Sequence, residues 1–479
     1  MASNLNSYSQ FLIPNPQKLT PMAAQSPPIV SIQPPKDISL SEIEAELHQI
    51  WQSYGAADEN GDSPSAIRAS TFTLIVYEPE GTQQLLAALG YYSGPIDGIA
   101  GPRMVAALKA AQKAYGLQRT GKADAVTKAK LHEEYSEKLQ KGATASSDES
   151  DSLQYSADLE GSGIADLIAA SNPCRIIALC PIAGEDEGVT VQVSASCPIQ
   201  KHSQSTLVCC EYITLRGTAA ALERNAGMIG ALMIGDLPKF IWWKATPDPE
   251  YGLFKRLTAD SNSVIIDSSS FNTSEVDLLQ IQTLMEQGVP VADLNWRRLA
   301  AWQELTAAAF DPPERRADLK EVDQVTIDYE KGNESQALMF LGWLASRLKW
   351  HPVSYQKEGG EYDIRRIQFT TPDQRTIKGE LAAIPITDSG DIPGDLISLR
   401  LGSTNTEADC CTVLCSETAG CMRMEAGGGA QSCRIQQVTP LFDQQTEFLL
   451  SQQLQRWGVD VLYQESLALT GQILKLGKG

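Results

Sequence analysis

Apolar residues recur along the chain with two different spacings, and the first two thirds of the chain contain both. Short runs rich in β-branched and aromatic residues predict buried strands, of which Thr71–Tyr77 comes first. Apolar residues that recur every three or four positions, as in Ile38–Tyr54, predict helices. Because strands and helices alternate, we expect an α/β sheet domain. The other predicted strands are Arg175–Cys180, Val189–Ala195, Leu207–Leu215, Phe240–Lys244 and Ser263–Asp267, and the other predicted helices are Ala219–Leu232 and Glu275–Gln287.

The last third of the chain has a different order of elements. Asn295 is a candidate N-cap for a helix from Trp296 to Phe310. A second helix, several strands between Val353 and Val438 and a closing helical region follow, which predicts a mostly antiparallel α+β domain. The two helical segments are Ser335–Trp350 and Thr446–Ile473, the second interrupted at Gly458. The predicted fold class is therefore α/β plus α+β.

A small unit with its own pattern, Leu85–Leu131, follows the first predicted strand. The apolar face of its first helix ends at Gly90, and Pro102 stands at the first turn of a second helix, where its missing N–H costs little. Val126–Leu131 predicts a third helix, and glycine-containing turns join the three. We predict a three-helix unit inserted between two strands of the α/β sheet.

The order of helices and turns in this unit, with Gly90-Tyr91-Tyr92 and Asp97-Gly98 at its first turns, resembles the peptidoglycan-binding-like domain. Two positions depart from that pattern: Ala111 replaces a large aromatic residue, and Asp124 stands where glycine is common. The resemblance implies wall binding, and the alternative is a folded spacer or a protein-docking insert. No export signal is visible before residue 36, which favours the alternative.

Charge and composition narrow the range of partners. The chain of 479 residues has 39 basic and 59 acidic side chains, a formal net charge of −20. Such a charge disfavours nucleic acid and anionic membrane surfaces. The apolar runs are too short to span a bilayer, so we expect no membrane association and a cytoplasmic protein. The predicted organisation is a disordered tail (1–36), an α/β domain (37–80 and 161–315), the three-helix insert (81–135), an acidic linker (136–160) and an α+β domain (316–479).

Cysteines give the sharpest chemical signal. A cluster in the last domain comprises Cys410, Cys411, Cys415, Cys421 and Cys433. Three interpretations compete: small buried thiols, a redox pair, and, least favoured, a zinc site, which would need a second closely spaced cysteine pair. A hairpin loop over 416–420 would place Cys415 directly opposite Cys421, close enough for a disulfide. Cys209 and Cys210 face opposite sides of one strand, so a bridge between them is not expected.

Signatures of catalysis are scarce. No dinucleotide-binding G-x-G-x-x-G follows a strand, and neither a phosphate-binding P-loop nor a G-x-S-x-G nucleophile turn occurs. The four histidines are scattered along the chain. We therefore expect no catalytic residue, no cofactor and no metal site, and a chain that is not an enzyme.

Two segments contain candidates for partner binding. The first holds two adjacent tryptophans that face opposite sides of a predicted strand, so that one of them needs a helix or a partner to cover it. The second holds paired arginines, which suit an acidic or phosphate-bearing partner, with a solvated surface as the alternative. The candidate residues are Asp236, Pro238, Trp242, Trp243, Arg297 and Arg298.

These segments also carry a family resemblance. Asp236-Leu237-Pro238 before the two tryptophans, Asp293–Leu299 with Trp302, and Gly342–Leu348 together resemble the glucose-6-phosphate dehydrogenase assembly protein family OpcA. The likeness extends over the chain except for the tail, the insert and the acidic linker.

The resemblance implies a non-catalytic chain that binds glucose-6-phosphate dehydrogenase, favours its active oligomer and raises its activity in the oxidative pentose phosphate pathway. It also implies the cyanobacterial branch of the family and thioredoxin-linked control, which fits the cysteine cluster. A peptidoglycan-binding protein of the cell envelope and an unrecognised α/β enzyme are the competing classes.

Overall fold

The computed structural model describes residues 29–54, 65–68, 70–78, 81–82, 85–86, 89–92, 102–143, 168, 172–181, 186–198, 206–271, 273–313, 315–360, 362–385, 395–405, 408, 410–416, 421–427, 435–440, 446–456 and 458–477. The strands are β1 (Ile29–Ile38), β2 (Ser65–Arg68), β3 (Thr73–Tyr77), β4 (Arg175–Pro181), β5 (Val189–Pro198), β6 (Thr206–Gly217), β7 (Lys239–Trp243), β8 (Ser263–Ile266), β9 (Val291–Asp293), β10 (Gln324–Glu330), β11 (His351–Gly359), β12 (Ile364–Thr370), β13 (Thr376–Ile384), β14 (Leu396–Gly402), β15 (Cys410–Ser416), β16 (Cys421–Gly427) and β17 (Ile435–Pro440).

The helices are α1 (Ile43–Tyr54), α2 (Pro102–Ala114), α3 (Ala125–Ala143), α4 (Ala219–Arg224), α5 (Ala226–Ala231), α6 (Gly252–Thr258), α7 (Ser274–Glu286), α8 (Leu294–Arg298), α9 (Ala300–Phe310), α10 (Glu334–Leu348), α11 (Thr446–Leu454) and α12 (Val461–Leu476). Short 3₁₀ turns occupy Leu40–Glu42, Ser268–Ser270 and Asp318–Lys320. In the described ranges, no helix is long and apolar enough to cross a bilayer.

The first sheet has the strand order of a doubly wound α/β fold. Its described strands lie in the order β1-β5-β6-β4-β3-β7-β8-β9, with β2 beside β6. All neighbours from β6 to β9 are parallel, whereas β1 and β5 are antiparallel additions at one edge. Counted from β3, the parallel strands follow the order 3-2-1-4-5-6 of dinucleotide-binding folds. The predicted α/β sheet is confirmed at this level.

Both faces of the first sheet are covered, which explains its uninterrupted apolar strands. Every residue of β3 is buried. Leu74 packs in one apolar cluster with Trp242, and Ile75 packs in a different cluster with Trp243. The two tryptophans therefore lie on opposite faces of the sheet, as the sequence predicts, and each is only 2% exposed.

The second sheet is mostly antiparallel, as predicted. Its described strands have the order β11-β12-β13-β10-β14-β15-β16-β17, and only β10 and β13 pair in parallel. Helix α10 is buried on all sides between residues 335 and 345. One apolar cluster contains Ile75 and Trp243 from the first sheet together with Ile327 and Leu399 from the second. The core is thus continuous from one sheet to the other.

The end of the chain returns to the first sheet. Leu449, Leu450 and Leu454 of α11 share an apolar cluster with Leu74 and Trp242. A boundary that assigns all of 316–479 to the α+β domain therefore does not describe the packing of α11. Helix α12 instead packs on α10, α7 and β11.

Two further predicted boundaries are corrected. The tail predicted over 1–36 is wrong for residues 29–36, which belong to β1. This strand pairs with β5 at the sheet edge, and its register shifts between Gln33 and Lys36, where two prolines cannot donate to the ladder. The linker predicted over 136–160 is wrong for residues 136–143, which continue α3. Residues 1–28 and 144–160 lie outside the described residues.

Two predicted helices are each broken in two. The segment predicted over Ala219–Leu232 divides into α4 and α5 at Asn225, whose side chain donates to the Ala221 carbonyl. The segment predicted from Trp296 divides into α8 and α9 at Leu299. Its N-cap is also different: Asp293 rather than Asn295 caps α8, because its carboxylate accepts the Asn295 N–H.

The insert has its own small apolar cluster. Pro102 is the first residue of α2, as predicted. Ala111 is fully buried in the cluster, which also contains Leu85, Leu86, Met104, Ala107, Leu108 and Leu131. The buried Gln112 amide donates to Thr120, Thr127 and the Lys122 carbonyl, and it accepts the Gly121 N–H.

Asp124 has a structural role in the same unit. Its carboxylate accepts the Thr127 N–H at 2.8 Å. This bond caps the start of α3. The departure from glycine at this position is therefore explained by helix capping.

A glycine at the crossing of α10 and α12 provides a test of the packing. A Cβ at Gly342 would lie 2.6 Å from the Ser466 carbonyl oxygen and would also clash with the Thr470 hydroxyl. We expect Gly342→Ala to lower the free energy of unfolding by about 1–3 kcal/mol, because backbone must move. Gly230→Ala in α5 is the matched control, since its Cβ meets only Met233 at 4.0 Å. Urea denaturation of both variants measures the difference; equal stabilities would contradict the close crossing.

Candidate functional site

The carboxyl ends of β3 and β7 mark the place where doubly wound folds bind ligands. The chain runs from β3 outward to β4 and β6 and then crosses back to β7, so the switch point lies between β3 and β7. In dinucleotide-binding proteins the turn after the first strand is rich in glycine, which lets the backbone approach a pyrophosphate. The sequence here is Glu78-Pro79-Glu80-Gly81, with two carboxylates and one glycine.

Aromatic side chains fill the switch point. Tyr77 stacks on Trp243 with ring centroids 3.8 Å apart, and Phe254 meets the same indole edge-on at 4.9 Å. Tyr251 lies 6.1 Å from Trp243 on a further side. Burial raises the pKa of the Tyr77 hydroxyl, so it stays protonated at neutral pH. The packing stabilises the sheet and presents no nucleophile or base.

A buried ion pair lies beside this stack. The Lys244 ammonium contacts the Glu78 carboxylate at 2.5 Å, and both side chains are largely buried. The same ammonium lies 4.2 Å above the Trp242 ring. A carboxylate at the end of the first strand repels a phosphate. The residues present therefore do not suit a dinucleotide.

A network of buried polar side chains lies further along the same edge of the sheet, after β8 and β9. Asp267 and Arg298 form a two-pronged pair, with N–O distances of 2.8 and 2.7 Å. Asp293 accepts the backbone N–H groups of Ser268 and Asn295 at 3.0 and 2.9 Å. These five residues are all at most 5% exposed. We call these five residues, together with the amide side chains of Asn333 and Gln336 that bind to them, the polar junction.

Three amide side chains extend the polar junction to the second sheet. Asn295 and Asn333 donate to each other's amide oxygens at 2.9 and 3.1 Å. Gln336 donates to the Asn295 oxygen and accepts the backbone N–H of Leu396. Tyr463 of α12 reaches Asp293 at 3.3 Å. The network thus joins β8, β9, α8, α10, α12 and β14.

Burial changes the acidity of Asp293. Removal from water raises the pKa of this carboxyl to about 6, and the neighbouring Asp267 carboxylate acts in the same direction. The two backbone N–H donors partly oppose the shift. Asp293 is fully enclosed, so a substrate cannot reach its carboxylate. The raised pKa therefore affects the stability of the fold.

The structure separates the partner-binding candidates. Trp242, Trp243 and Arg298 are buried within the chain, so the prediction that they form a docking surface is corrected: their partners are internal. Both tryptophans are covered because α11 and α6 lie on opposite faces of the sheet. Asp236 is exposed, and Pro238 and Arg297 are partly exposed.

The cysteine cluster has a different register from the one predicted. In the β15–β16 hairpin, Ser416 pairs with Cys421 and Cys415 pairs with Met422. The prediction that Cys415 lies directly opposite Cys421 is wrong by one residue, because Ser416 takes the position opposite Cys421. Cys411 is a buried thiol, as one of the alternatives expects. Cys410 begins β15, and Cys433 lies outside the described residues.

Sequence reasoning missed a disulfide. Cys197 of β5 and Cys209 of β6 are bonded, and both are fully buried. Since β5 and β6 pair with Ser196 opposite Cys210, the two cysteines are neighbours across the strands. The signal was the antiparallel pairing of these strands, which the sequence alone does not supply. Cys174, Cys180 and Cys210 are buried thiols outside this bond.

Family models match three segments of the chain. Residues 165–283 match the model of the N-terminal domain, and residues 289–467 the model of the C-terminal domain, of a protein described as "Glucose-6-phosphate dehydrogenase subunit". Residues 81–131 match "Putative peptidoglycan binding domain". The last match coincides with the three-helix insert.

Relatives are similar over nearly the whole chain. The "Putative OxPP cycle protein OpcA" of Nostoc punctiforme is 64% identical over 97% of this chain and 98% of its own length. The protein of the same name from a Synechocystis strain is 60% identical over 95% of both. Among solved structures, an oxidoreductase from Sinorhizobium meliloti is 10% identical with a TM-score of 0.35, over 54% of this chain and 81% of that chain.

The raised pKa of Asp293 predicts a specific pH dependence of stability. A carboxyl whose pKa is higher in the folded state favours folding at low pH, and this contribution is lost as the pH rises through about 6. We expect Asp293→Asn to remove it. The free energy of unfolding of the wild type minus that of the variant should fall by on the order of 3 kcal/mol between about pH 4 and pH 7. Urea denaturation across this range measures it, and parallel curves would exclude a titrating Asp293.

Proposed function

The chain belongs to the OpcA family, and from this we propose that it is a non-catalytic partner of glucose-6-phosphate dehydrogenase that favours the active oligomer of the enzyme. The observation that carries the proposal is the match of both main segments to models described as subunit domains of that enzyme. The names of the relatives assign them to the oxidative pentose phosphate pathway. A location in the cytoplasm follows from the proposed partner.

The switch point of the first sheet supports a role without catalysis. The turn after β3 bears Glu78 in place of a glycine-rich sequence, and the Glu78–Lys244 pair and the Tyr77–Trp243 stack lie at the carboxyl ends of β3 and β7. An enzyme of this fold holds its cofactor at that position. The chain therefore uses a dinucleotide-binding fold as a scaffold for protein binding.

Activation requires differential binding. A partner shifts an enzyme between two states only by as much as it prefers one of them. A preference of about 1–3 kcal/mol corresponds to roughly 5–150-fold. The chain needs only a modest preference for the active oligomer, which a docking surface of ordinary size supplies.

A redox response is part of the proposal and rests on Cys415 and Cys421. Oxidation of the two thiols to a disulfide transfers two electrons and two protons to an oxidised dithiol protein such as thioredoxin, and its reduced form reverses the step. Because the register does not oppose the two cysteines, bond formation requires the hairpin to slip. A one-residue slip reverses the faces of all side chains on the strand that slips, so it would alter the surface of β15 or of β16.

The match of residues 81–131 keeps a second candidate function, binding of peptidoglycan by the insert. In that case the purified chain would sediment with peptidoglycan, and a chain without residues 81–131 would not. The first proposal predicts no such sedimentation.

Direct binding to the cognate dehydrogenase is the main prediction. Mixed at micromolar concentration, the two proteins should co-elute in size-exclusion chromatography, with a larger oligomer and a higher rate at limiting substrate than the enzyme alone. The chain alone should show neither turnover nor binding of a nicotinamide dinucleotide by titration calorimetry. Absence of both co-elution and a rate change would contradict the proposal, and turnover by the chain alone would support an enzyme instead.

The cysteine pair predicts a second outcome. The double variant Cys415→Ser and Cys421→Ser should lose the difference in dehydrogenase rate between the oxidised and the thioredoxin-reduced chain. Cys180→Ser, at a thiol of the first sheet outside the cluster, is the matched control and should keep the difference. An undiminished response in the double variant would show that another pair is the switch, and Cys197→Ser would then be the next variant to measure.

A further inference from the structure

The turn between α11 and α12 exposes more apolar surface than its surroundings. Val459, Val461 and Leu462 are 56%, 57% and 42% exposed. Gly458 holds a φ of +126°, and a Cβ there would meet nothing within 4 Å. Single exposed apolar residues are common on proteins, but a group of neighbours marks an interaction site more often.

Two arginines flank these apolar side chains. Arg456 lies at the start of the turn and is exposed, and Arg297 of α8 is partly exposed and near enough to interact with the charge of Arg456. Burial, the larger cause, and the positive charge of Arg456 lower the pKa of Arg297, and the Asp460 carboxylate partly opposes this shift. Two like charges held together are unfavourable unless an anion offsets them.

No carboxylate in the described part of the chain forms a salt bridge with either arginine. The nearest candidate, Asp460, uses its oxygens elsewhere: it accepts the Trp296 indole N–H at 3.0 Å and the backbone N–H of Tyr463 at 3.0 Å. It therefore caps α12 and fixes α8 against the turn. The two guanidinium groups keep donors available for an anion from outside the chain.

The charge of the rest of the molecule makes this site unusual. At a formal net charge of −20, the chain as a whole repels acidic partners. Arginine is among the residues that binding hot spots favour, and the surrounding valines and leucine would exclude water from its contact with a partner. A partner surface that is complementary to this site would carry carboxylates within an apolar patch.

We propose that Arg297, Arg456, Val459, Val461 and Leu462, the turn surface, dock an acidic and apolar face of glucose-6-phosphate dehydrogenase. The inference rests on the proposed function and specifies where the contact is made. The turn surface is held by Trp296, whose ring lies 5.5 Å from that of Tyr463, and Tyr463 in turn contacts Asp293 of the polar junction. A partner docked on the turn surface would therefore be linked through Trp296 and Tyr463 to the polar junction, which joins the two sheets.

Charge reversal tests the electrostatic part. The double variant Arg297→Glu and Arg456→Glu should raise the dissociation constant for the dehydrogenase at least tenfold and weaken its dependence on salt. The matched control, Lys378→Glu with Arg400→Glu, makes the same change of charge at two exposed positions of the second sheet and should leave binding within about threefold. Thermal unfolding and size-exclusion chromatography of each variant alone verify that it is folded and that its own oligomeric state is unchanged.

The apolar part has its own variant. Val461→Ser with Leu462→Ser should raise the dissociation constant about tenfold, whereas Val276→Ser, at a residue also 56% exposed, should not. If the wild type binds and both turn variants bind as tightly, the turn surface is not the docking site and the proposed function stands. If the wild type does not bind, the proposed function itself fails. A change in self-association without a change in dehydrogenase binding would assign the surface to contact between copies of the chain and overturn the inference.

Discussion

The buried pair of Asp267 and Arg298 is the contact on which the junction of the two sheets depends. Neither charge has access to water, so each is stable only because the other compensates it. Arg298 also contacts Thr446 at the start of α11, and Asp267 caps the turn that follows β8. Removal of one partner from such a pair typically costs about 3–5 kcal/mol. The loss would destabilise both sheets, because the amide side chains beside the pair connect α8 of the first domain to α10 and β14 of the second.

The edge of the first sheet at which proteins of this fold bind ligands carries buried contacts that stabilise the structure. At the switch point an aromatic stack and an ion pair lie at the carboxyl ends of β3 and β7, and after β8 and β9 the polar junction joins the first sheet to the second. Three residues of the family motif from Asp293 to Leu299 accordingly have structural roles: its aspartate caps a helix, its asparagine bridges two segments and its second arginine neutralises a buried carboxylate.

Local patterns predicted the elements well and long-range contacts poorly. The alternation that places Trp242 and Trp243 on opposite faces is a property of any strand, but the cover over Trp242 comes from α11, which no local pattern predicts. The position of Arg298 inside the protein follows from Asp267, on another element. The Cys197–Cys209 bond and the register of Cys415 depend on strand pairing and loop length, which composition does not determine.

The return of α11 to the first sheet has a consequence for biosynthesis. The face of that sheet that contains Phe72, Leu74 and Trp242 is completed by leucines that lie near the end of the chain. On the ribosome, the strands of the first sheet emerge long before this cover exists, so their apolar face must wait for almost the whole chain to be translated. Although the α/β sheet comes first in the sequence, this face is completed only after α11 has been translated, and until then its apolar side chains are open to contacts that favour aggregation.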